Sequence, residues 1–505
     1  MAGVRFGPVP SRYEDLWSLS VRRGFLWPAA DLYGGFAGFY DYGHLGAAMR
    51  RNWETGWLDA FLGLDENYHL LDGTIALPEA ALKASGHVDQ FTDLLVRCTK
   101  CRETHRADHL LEDVTHEAHE GLTAEEADAK IRDLKVRCPR CKGELGPSQP
   151  FNMMFPVSVG PLGQDRAYLR PETAQVAYLN FKREFEALRR KLPLGLAVIG
   201  RCFRNEISPR QGVYRMREFL QAELQIFFDP STWEGEIPFE TVADTRIHVA
   251  LASEKGKGGF ESLAARDLAD GKLPRWYVYH LAKVQDYFVR TLAVPPDRFR
   301  FAELTEKERA FYNKIHFDVE VRQDSLGGFK EVGGVHYRTD HDLGGHQAGS
   351  KERLEVTVDG RKVLPHVLEL SFGVDRTLWA LLDVGYGTRD GKAVLRLPPA
   401  LAPIPAAVFP LVSKDGLPDR ARTLWEGLRR TWRPIYDEAG SIGKRYARMD
   451  EVGTPLCVTV DHQTLKDSTV TVRDRDTGAQ VRVPEATLAL AIADLLAGAS
   501  FPPPT

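Results

Sequence analysis

Several arginines and glutamates lie in a segment, residues 198–228, whose two ends are apolar and β-prone. Its middle, I-S-P-R-Q-G, has turn chemistry and two residues that break regular structure. The segment therefore predicts two antiparallel strands joined by a long loop. Because alternate residues of a strand share a face, Arg204 and Glu206 are expected to point the same way. The charges would then lie on one surface of a sheet.

The second of these strands would carry Arg215, Arg217 and Phe219 on a common face. Arginine presents a planar fork of donors that matches phosphate oxygens, and an aromatic ring can stack on a purine. A glutamate such as Glu206 can accept a hydrogen bond from an adenine amino group. These residue types predict a platform for ATP. The alternative is a solvated sheet face whose charges form ion pairs.

Two other stretches place polar residues where a strand meets a helix. In Y-L-R-P-E-T-A-Q, Glu172 is expected at a strand end or helix start, where catalytic side chains often project. An ordinary surface glutamate is the alternative. In H-V-L-E-L-S-F-G-V-D-R, Glu369 and Ser371 share a strand face. Gly373 then allows close approach, and Arg376 begins the following helix.

A further polar run, K-E-V-G-G-V-H-Y-R-T-D-H-D-L, follows the point at which the chain is expected to return to strands. It contains Glu331 and, further on, Arg338, Asp340 and Asp342. Carboxylate oxygens are hard ligands that suit a magnesium ion bridging phosphates. Glu331 is therefore a candidate magnesium ligand.

Four of the six cysteines form two C-x-x-C pairs, Cys98 with Cys101 and Cys138 with Cys141. Paired C-x-x-C units beside turn residues, in a reducing compartment, favour tetrahedral zinc over disulfides. Four thiolates leave no open coordination position, so the zinc would be structural. The acidic, helix-prone segment between the pairs is interpreted as an insertion, residues 98–141. The alternative is a pair of degenerate knuckles that hold no metal.

The elements around these residues can be predicted more coarsely. An amphipathic stretch near residue 50 has apolar residues at the spacing of a core helix. A Pro-rich linker at residues 396–405 marks a boundary, and the strand, helix and strand after it predict a small α/β domain. The residues at helical spacing are Met49, Trp53, Trp57 and Phe61.

Composition sets outer limits on the function. A chain of 505 residues predicts two to four domains, and a net charge of −4 with 27% charged residues is ordinary for a soluble protein. Bulk charge therefore does not indicate a nucleic-acid partner, which has to rest on local patches. No apolar run approaches the length that spans a bilayer, and the N-terminus lacks the apolar core of a signal peptide. A cytoplasmic protein without a membrane partner is expected.

F-R-N-E, the loop after it and R-M-R-E-F resemble the second signature motif of the class II aminoacyl-tRNA synthetases. The helix near residue 50 and the aromatic, Gly-rich segment before it resemble the first motif, and E-L-S-F-G-V-D-R resembles the third. R-P-E-T-A-Q and S-G-H-V-D-Q-F are similar to the glycyl-specific members. The resemblance implies an α/β (α+β) fold, with an antiparallel catalytic sheet flanked by helices and a C-terminal mixed α/β anticodon-binding domain.

The resemblance also implies domain bounds. The catalytic domain would span residues 1–400 and the anticodon-binding domain residues 401–505. A mixed α/β insertion at about 230–310, with the mobile connection E-K-G-K-G-G-F, would lie near the acceptor stem of tRNA. In the C-terminal domain, G-S-I-G-K-R-Y-A-R would offer basic and stacking groups to RNA, with a plain regulatory fold as the alternative. These groups are Lys444, Arg445, Tyr446 and Arg448.

Residue roles follow from the resemblance, position by position. Arg204 would hold the α-phosphate, Arg376 the γ-phosphate and Glu206 the adenine amino group, and these three would be catalytic. Glu331 and Glu369 would hold magnesium. The implied ATP-binding residues are Arg204, Asn205, Glu206, Tyr214, Arg215, Arg217, Phe219, Glu331, Val332, Gly373 and Arg376. The implied glycine-binding residues are Arg97, for which a surface role is the alternative, Glu172, Phe219, Gln221, Glu223, Glu369, Ser371 and Gly373.

The implied activity is the activation of glycine with ATP and its transfer to tRNA(Gly). The enzyme would be a homodimer in which the helix of the first motif packs on its twin.

Two rival classes of protein differ in which of these sequence features they would retain. A synthetase for threonine, proline, histidine or serine would lack the glycyl-like segments, and a non-catalytic relative such as a polymerase accessory subunit would lose the arginines that bind ATP.

Overall fold

A computed structural model describes residues 11–115, 119, 121–188, 190–209, 212–254, 259–270, 273–310 and 312–499. The predicted mobile connection E-K-G-K-G-G-F lies mostly outside these residues. The α-helices are α1 Ser11–Arg23, α2 His44–Leu62, α3 Glu79–Ala84, α4 His87–Gln90, α5 Ala107–Thr115, α6 Ala124–Asp133, α7 Ala174–Ala187, α8 Trp233–Glu236, α9 Ala265–Ala269, α10 Arg275–Asp286, α11 His341–Ser350, α12 Val374–Gly385, α13 Leu417–Leu428, α14 Ile442–Val452, α15 Thr464–Asp467 and α16 Leu488–Leu496.

The strands form one large central sheet and several smaller ones. They are β1 Leu26–Pro28, β2 Tyr40–Tyr42, β3 Tyr68–Leu70, β4 Ala76–Pro78, β5 Thr92–Arg97, β6 Thr104–Arg106, β7 Gln149–Asn152, β8 Phe155–Val159, β9 Asp165–Leu169, β10 Leu194–Phe203, β11 Glu218–Phe228, β12 Arg246–Ala250, β13 Glu261–Ala264, β14 Phe299–Glu303, β15 Ile315–Gln323, β16 Gly328–Thr339, β17 Val356–Val358, β18 Arg361–Val363, β19 His366–Gly373, β20 Tyr386–Arg389, β21 Lys392–Leu395, β22 Ala406–Pro410, β23 Ile435–Tyr436, β24 Leu456–Val460, β25 Thr469–Asp474 and β26 Gln480–Pro484.

The central sheet has the strand order β13-β12-β14-β15-β16-β19-β11-β10-β3. All neighbours are antiparallel except β12 with β14 and β10 with β3, which are parallel. The predicted pairing of β10 with β11 is confirmed, with Cys202 opposite Phe219. The predicted strands were too long, however. Arg204, Glu206, Arg215 and Arg217 lie in the connection between the two strands, where the two-residue alternation does not apply.

The loop leaves the ladder because its backbone takes other partners. The Asn205 N–H donates to the carbonyl of Met153, 2.7 Å away, on a different part of the chain. The Arg217 N–H donates to the carbonyl of Gly38 at 2.8 Å. The loop is thus anchored to two neighbouring segments, and its side chains are aimed individually.

Helix α2 supports the sheet from behind. Met49, Trp53, Trp57 and Phe61 are each at most 1% exposed, as the helical spacing predicted. The Trp57 and Phe61 rings lie 5.8 and 4.9 Å from the ring of Phe372, which belongs to β19. The apolar face of β19 therefore packs on α2, and the opposite face of this strand is available for polar groups.

The segment predicted as a mixed insertion, about 230–310, does contain helices and strands. Its strands β12, β13 and β14 extend the central sheet at one edge. Helix α10 buries both apolar and polar side chains against this extension, and the Tyr277 hydroxyl donates to the carbonyl of Val335 in β16. The segment is therefore part of the sheet's architecture.

Strands β5, β6 and β7 form a small sheet beside the two C-x-x-C pairs. Helices α5 and α6, from the predicted insertion, pack on it through a local apolar cluster that includes Val96, Leu111 and Ile131. This subdomain has a core of its own, which is separate from the core of the central sheet.

Strands β22 to β26 form a second sheet of order β23-β22-β24-β25-β26, covered by α13 and α16. It contacts the rest of the chain through α14 and the hairpin of β20 and β21. Arg389 lies 3.4 Å from Asp450, and the buried Arg475 donates to the carbonyl of Leu397. None of the described helices combines the length and apolarity needed to cross a bilayer.

The predicted RNA-contact residues of α14 are used mainly within the fold. Arg445 is buried and donates to backbone carbonyls of Gly440 and Pro410. The Tyr446 ring packs edge-on against Phe409, and Arg448 forms an ion pair with Asp437. Lys444 is exposed. Lys444 and Arg445 thus differ in exposure because neighbouring residues on a helix face different directions, and contact of this run with RNA stays a prediction.

Replacement of Trp57 by Ala tests the role of α2. The expected loss of unfolding free energy is about 3–5 kcal/mol, because the ring is fully buried and its removal leaves a cavity. Urea unfolding followed by tryptophan fluorescence and circular dichroism measures it. Thr55→Ala, at an exposed position on the same helix, is the matched control and should change stability by no more than about 0.5 kcal/mol. Equal unfolding midpoints for the two variants would contradict this packing.

Candidate active site

A cavity of about 340 Å³ opens on the polar face of the central sheet. Its floor is formed by β11, β16 and β19, which are neighbours in the sheet, and one wall by the loop between β10 and β11. The start of α12 and the turn before α7 complete it. The sequence-predicted residues that line it are Glu172, Arg204, Glu206, Tyr214, Arg215, Phe219, Gln221, Glu223, Glu331, Glu369, Ser371, Gly373 and Arg376.

Strand register brings the polar residues of the floor together. Glu223 of β11 is opposite Ser371 of β19, and the Ser371 hydroxyl donates to Glu223 at 2.8 Å. Glu369 lies between Gln225 and His336 on its two neighbouring strands. Directly opposed side chains on one sheet face are close enough to interact. The alternation predicted for Glu369 and Ser371 is therefore what places both in the cavity.

Three carboxylates, those of Glu172, Glu223 and Glu369, lie in this polar cluster, and each is at most 7% exposed. Glu369 accepts hydrogen bonds from Gln225, at 2.9 Å, and from Arg338, at 2.9 Å, and it pairs with His336 at 2.7 Å. These partners hold the carboxylate of Glu369 in one orientation. A cluster of this kind attracts a cationic group.

The three carboxylates differ in protonation. Burial opposes ionisation of each, but Arg338 and His336 outweigh it at Glu369 and lower its pKa to about 2. At Glu172, His87 and Arg338 likewise lower the pKa. Burial together with the negative charges of Glu369 and Glu172 raises the pKa of Glu223 to about 8. Glu223 therefore holds a proton at neutral pH until a cation arrives beside it.

Arg204 is held between two aromatic rings. Its guanidinium carbon lies 5.3 Å from the ring centroid of Phe91 and 5.2 Å from that of Phe219. Its Nε donates to the carbonyl of Pro171 at 3.2 Å. The stacking leaves the edge of the guanidinium for an anion, as phosphate binding requires.

Arg376 lies in the first turn of α12, as predicted, on the same cavity. Its guanidinium is 2.9 Å from Glu331 and 5.7 Å from the ring centroid of Tyr214. Burial raises the pKa of the Tyr214 hydroxyl, which accepts a hydrogen bond from Gln323. Arg204 and Arg376 are thus two cationic groups that line one cavity.

Four predicted site residues do not line the cavity. The Arg217 side chain donates to the carbonyls of Glu206 and Ala37, so it braces the loop. Val332 is fully buried in the core, and Asn205 contributes a backbone bond outside the cavity. Arg97 is exposed at the end of β5, where its Nε donates to the carbonyl of Arg102. The surface alternative for Arg97 agrees with this position.

Other cavity residues received no role from the sequence. Arg338 is 1% exposed, and His336 pairs with Glu369. His316 and Asp318 of β15 hydrogen-bond to each other at 3.0 Å and also line the cavity. The alternation of β16 from Gly334 would have found His336 and Arg338, because both share the face of that glycine.

The four predicted zinc ligands converge. The sulfur atoms of Cys98, Cys101, Cys138 and Cys141 all lie within 4.8 Å of one another. Cys98 and Cys138 are buried, and the other two are half-buried. A set of four thiolates at such distances fits tetrahedral zinc and leaves no open position.

An antiparallel sheet with two arginines and a carboxylate cluster on one face defines the core of a class II aminoacyl-tRNA synthetase. Residues 159–385 match the family described as tRNA synthetase class II core domain (G, H, P, S and T), and residues 406–495 match the anticodon binding domain family. The chain belongs to the glycine–tRNA ligase family, as its similarity to the following relatives establishes.

Similarity to glycine–tRNA ligases extends over nearly the whole chain. The enzyme of Thermococcus gammatolerans is 37% identical over 94% of this chain and 97% of its own length. That of Pyrococcus abyssi is 38% identical over 95% and 97%, respectively. That of Methanocaldococcus jannaschii is 35% identical over 93% and 96%. The similarity therefore includes the catalytic core, the cysteine-rich subdomain and the C-terminal domain.

The raised pKa of Glu223 predicts a pH-dependent stability. A carboxyl group whose pKa is raised by folding contributes stability that is present below its unfolded pKa and is lost as pH rises through about 8. Urea unfolding midpoints of the wild type should therefore fall between pH 6 and pH 9. Glu223→Gln should flatten this fall, whereas Glu66→Gln, at an exposed position, should not. Parallel pH profiles for the wild type and Glu223→Gln would contradict a protonated Glu223.

Proposed function

We propose that this protein is a glycine–tRNA ligase, which activates glycine with ATP and transfers the glycyl group to the 3′ end of tRNA(Gly). The observation that carries the proposal is the 37% identity to a glycine–tRNA ligase over 94% of the chain. The convergence of the second and third motif segments on one cavity agrees with it.

ATP would lie against β11 and the loop before it. We assign the α-phosphate to Arg204, the γ-phosphate to Arg376 and the adenine ring to Phe219. Glu206 would accept from the adenine amino group, and Arg215 and Tyr214 would contact the phosphate chain. These assignments use groups that line one cavity. Arg217, Asn205 and Val332 would support the site from outside it.

Glycine would lie over the carboxylate cluster, with its ammonium group near Glu172, Glu223 and Glu369. Gln221 and Ser371 would complete the pocket. Because glycine has no side chain, recognition has to rest on the ammonium group and on crowding that excludes larger amino acids. Arrival of the ammonium would favour the ionised form of Glu223, so binding would release the proton that this residue holds.

In the first step, a carboxylate oxygen of glycine would attack the α-phosphorus of ATP in line. The bond between the α-phosphorus and its bridging oxygen to the β-phosphorus would break, and pyrophosphate would leave. In the second step, a hydroxyl of the terminal ribose of tRNA would attack the glycyl carbonyl, lose its proton and displace AMP. No protein nucleophile is required. Arg204 and Arg376 would act by positioning the phosphates and opposing their negative charge.

Magnesium and zinc are both proposed. Magnesium bound with ATP would neutralise phosphate charge, and Glu331 has a side chain at the open part of the cavity that suits it. Glu369 fits this role poorly, because both of its oxygens are engaged by Gln225, His336 and Arg338. We therefore retain Glu331 alone as a magnesium ligand. Zinc would be held by the four cysteines and would stabilise the subdomain.

The domain division, the cellular location and the oligomeric state of the enzyme are proposed on the same basis. The chain would divide into a catalytic domain, residues 1–400, and an anticodon-binding domain, residues 401–505. It would act in the cytoplasm, where its free thiols stay reduced. We also propose a homodimer, because the apolar residues Leu32, Tyr33 and Phe36, close together in the chain, are 98, 92 and 75% exposed. Analytical ultracentrifugation should then give twice the chain mass of 56.6 kDa, and a monomer at micromolar concentration would contradict the dimer.

Exchange of labelled pyrophosphate into ATP, assayed with each amino acid, tests the activity. Glycine should support exchange, and alanine should do so at least about tenfold less well because of crowding. Arg376→Ala should lower the rate by about a hundredfold or more, since it removes a charge that opposes the phosphates. Arg166→Ala, which removes an exposed ion pair with Glu79, is the control. Comparable activation of alanine would contradict the specificity, and full activity of Arg376→Ala would contradict its role.

Metal analysis of the purified protein tests the zinc site. About one zinc per chain is expected, and Cys138→Ser should abolish binding because one of four thiolates is lost. Cys457→Ala, which removes a buried thiol outside the cluster, should leave the zinc content unchanged. A protein without zinc, or a Cys138→Ser variant with full zinc content, would contradict the assignment.

A further inference from the structure

Strand β6 connects the four-cysteine cluster to the candidate ATP site. Successive residues of a strand point to opposite faces, so His105 and Arg106 face in opposite directions. The His105 Nε2 lies 3.5 Å from the sulfur of Cys138. Arg106 faces Asp93, Asp108 and Glu206 on the other side. One short strand therefore touches both sites.

Arg106 is held in place by two carboxylates. Its Nη1 lies 2.7 Å from Asp93, and its Nε donates to Asp108 at 3.0 Å. Asp93 belongs to the neighbouring strand β5, where the pairing of Leu95 with Arg106 sets the register. Arg106 is only 9% exposed, and these partners fix the position of its guanidinium.

Glu206 lies at the other end of this arrangement. Its Oε2 is buried and accepts no hydrogen bond from any described residue, and the Nη1 of Arg106 is 4.0 Å away. An ionised carboxylate in such a place needs a nearby positive charge and a donor. Arg106 supplies the charge beside this buried oxygen, while Glu206 also lines the cavity, where its carboxylate can meet a ligand.

We infer that Arg106 is a positioning residue for Glu206, and that the four-cysteine cluster holds the strand that carries Arg106. The inference rests on the proposed function, in which Glu206 accepts from the adenine amino group. Arg106 orients Glu206 toward that amino group without touching ATP. The cysteine-rich subdomain thereby contributes to the choice of nucleotide as well as to stability.

Equilibrium binding of Mg-ATP and Mg-ITP, measured by calorimetry without amino acid, tests the inference. ITP has a keto oxygen in place of the adenine amino group, so the wild type should prefer ATP by about tenfold or more. Arg106→Met should remove most of this preference, and Arg106→Lys should restore part of it. Arg361→Met, which breaks an ion pair with Asp229 outside the cavity, should keep the full preference.

Glu206→Gln distinguishes the adenine contact of Glu206 from the positioning role of Arg106. If Glu206→Gln loses the preference for ATP and Arg106→Met keeps it, the positioning role of Arg106 is wrong while the adenine contact stands. If Glu206→Gln keeps the preference, or the wild type has none, the adenine contact itself is wrong and the inference fails with it. Arg106→Met combined with Glu206→Gln should lose no more preference than either change alone, and an additive loss would contradict a shared pathway.

The contribution of the cysteine cluster is tested by Cys138→Ser in the same assay. Its preference for ATP over ITP should fall as it does in Arg106→Met, while Cys457→Ala should keep the wild-type ratio. A Cys138→Ser variant with an unchanged ratio would overturn the proposed support of β6 by the cluster. Binding ratios, unlike overall activity, are not lowered merely because a fraction of the protein is unfolded.

Discussion

The buried guanidinium of Arg338 is the interaction on which the site depends. It donates to Glu369 at 2.9 Å and to both oxygens of Asp342, at 2.8 and 3.0 Å, and it lies 3.6 Å from Glu172. Without it, the buried carboxylates of Glu172, Asp342 and Glu369 would lose a guanidinium that contacts all three. Removing one member of such a buried network leaves the other charges uncompensated, which is far more costly than losing a surface ion pair. Against the effect of burial, Arg338 helps to lower the pKa of Glu172 together with His87, and that of Glu369 together with His336. Burial and the charges of these two carboxylates raise the pKa of Glu223.

The fold serves this arrangement by dividing the sheet into two faces. Apolar residues of β19, such as Phe372, face α2, while Glu369 and Ser371 face the cavity. Two antiparallel neighbours, β11 and β16, bring matching polar residues to β19 in register. The loop after β10 and the start of α12 then add Arg204 and Arg376. The orientation of these two side chains does not depend on strand alternation, because their own contacts hold them. A rigid sheet, together with loop and helix residues that are each held by their own contacts, suits a reaction that relies on positioning the reactants.

Sequence reasoning succeeded where a period or a motif dictated the geometry. The pairing of β10 with β11 follows from the apolar ends and turn chemistry of that segment. The burial of Trp57 and the shared face of Glu369 and Ser371 follow from spacing. It failed at residues whose positions are set by tertiary contacts. Arg217 was assigned to the cavity by alternation, but it lies in a loop and binds backbone carbonyls.

Tertiary contacts also explain two other differences. In the basic and aromatic run on α14, Arg445 is buried and Tyr446 is packed against Phe409, whereas Lys444 is exposed. Arg106 shows the opposite case, since no motif marks it and only the folded chain brings it near Glu206. Composition and spacing report neighbours along the chain, whereas these roles depend on neighbours in space.

A crystal structure with a non-hydrolysable glycyl-adenylate analogue would test the central claim most directly, namely that separate segments form one site for a nucleotide and a small amino acid. The account predicts the phosphate mimic beside Arg204, the adenine ring against Phe219 and the ammonium group among Glu172, Glu223 and Glu369. An analogue bound away from the central sheet, or with its ammonium group remote from these carboxylates, would contradict it.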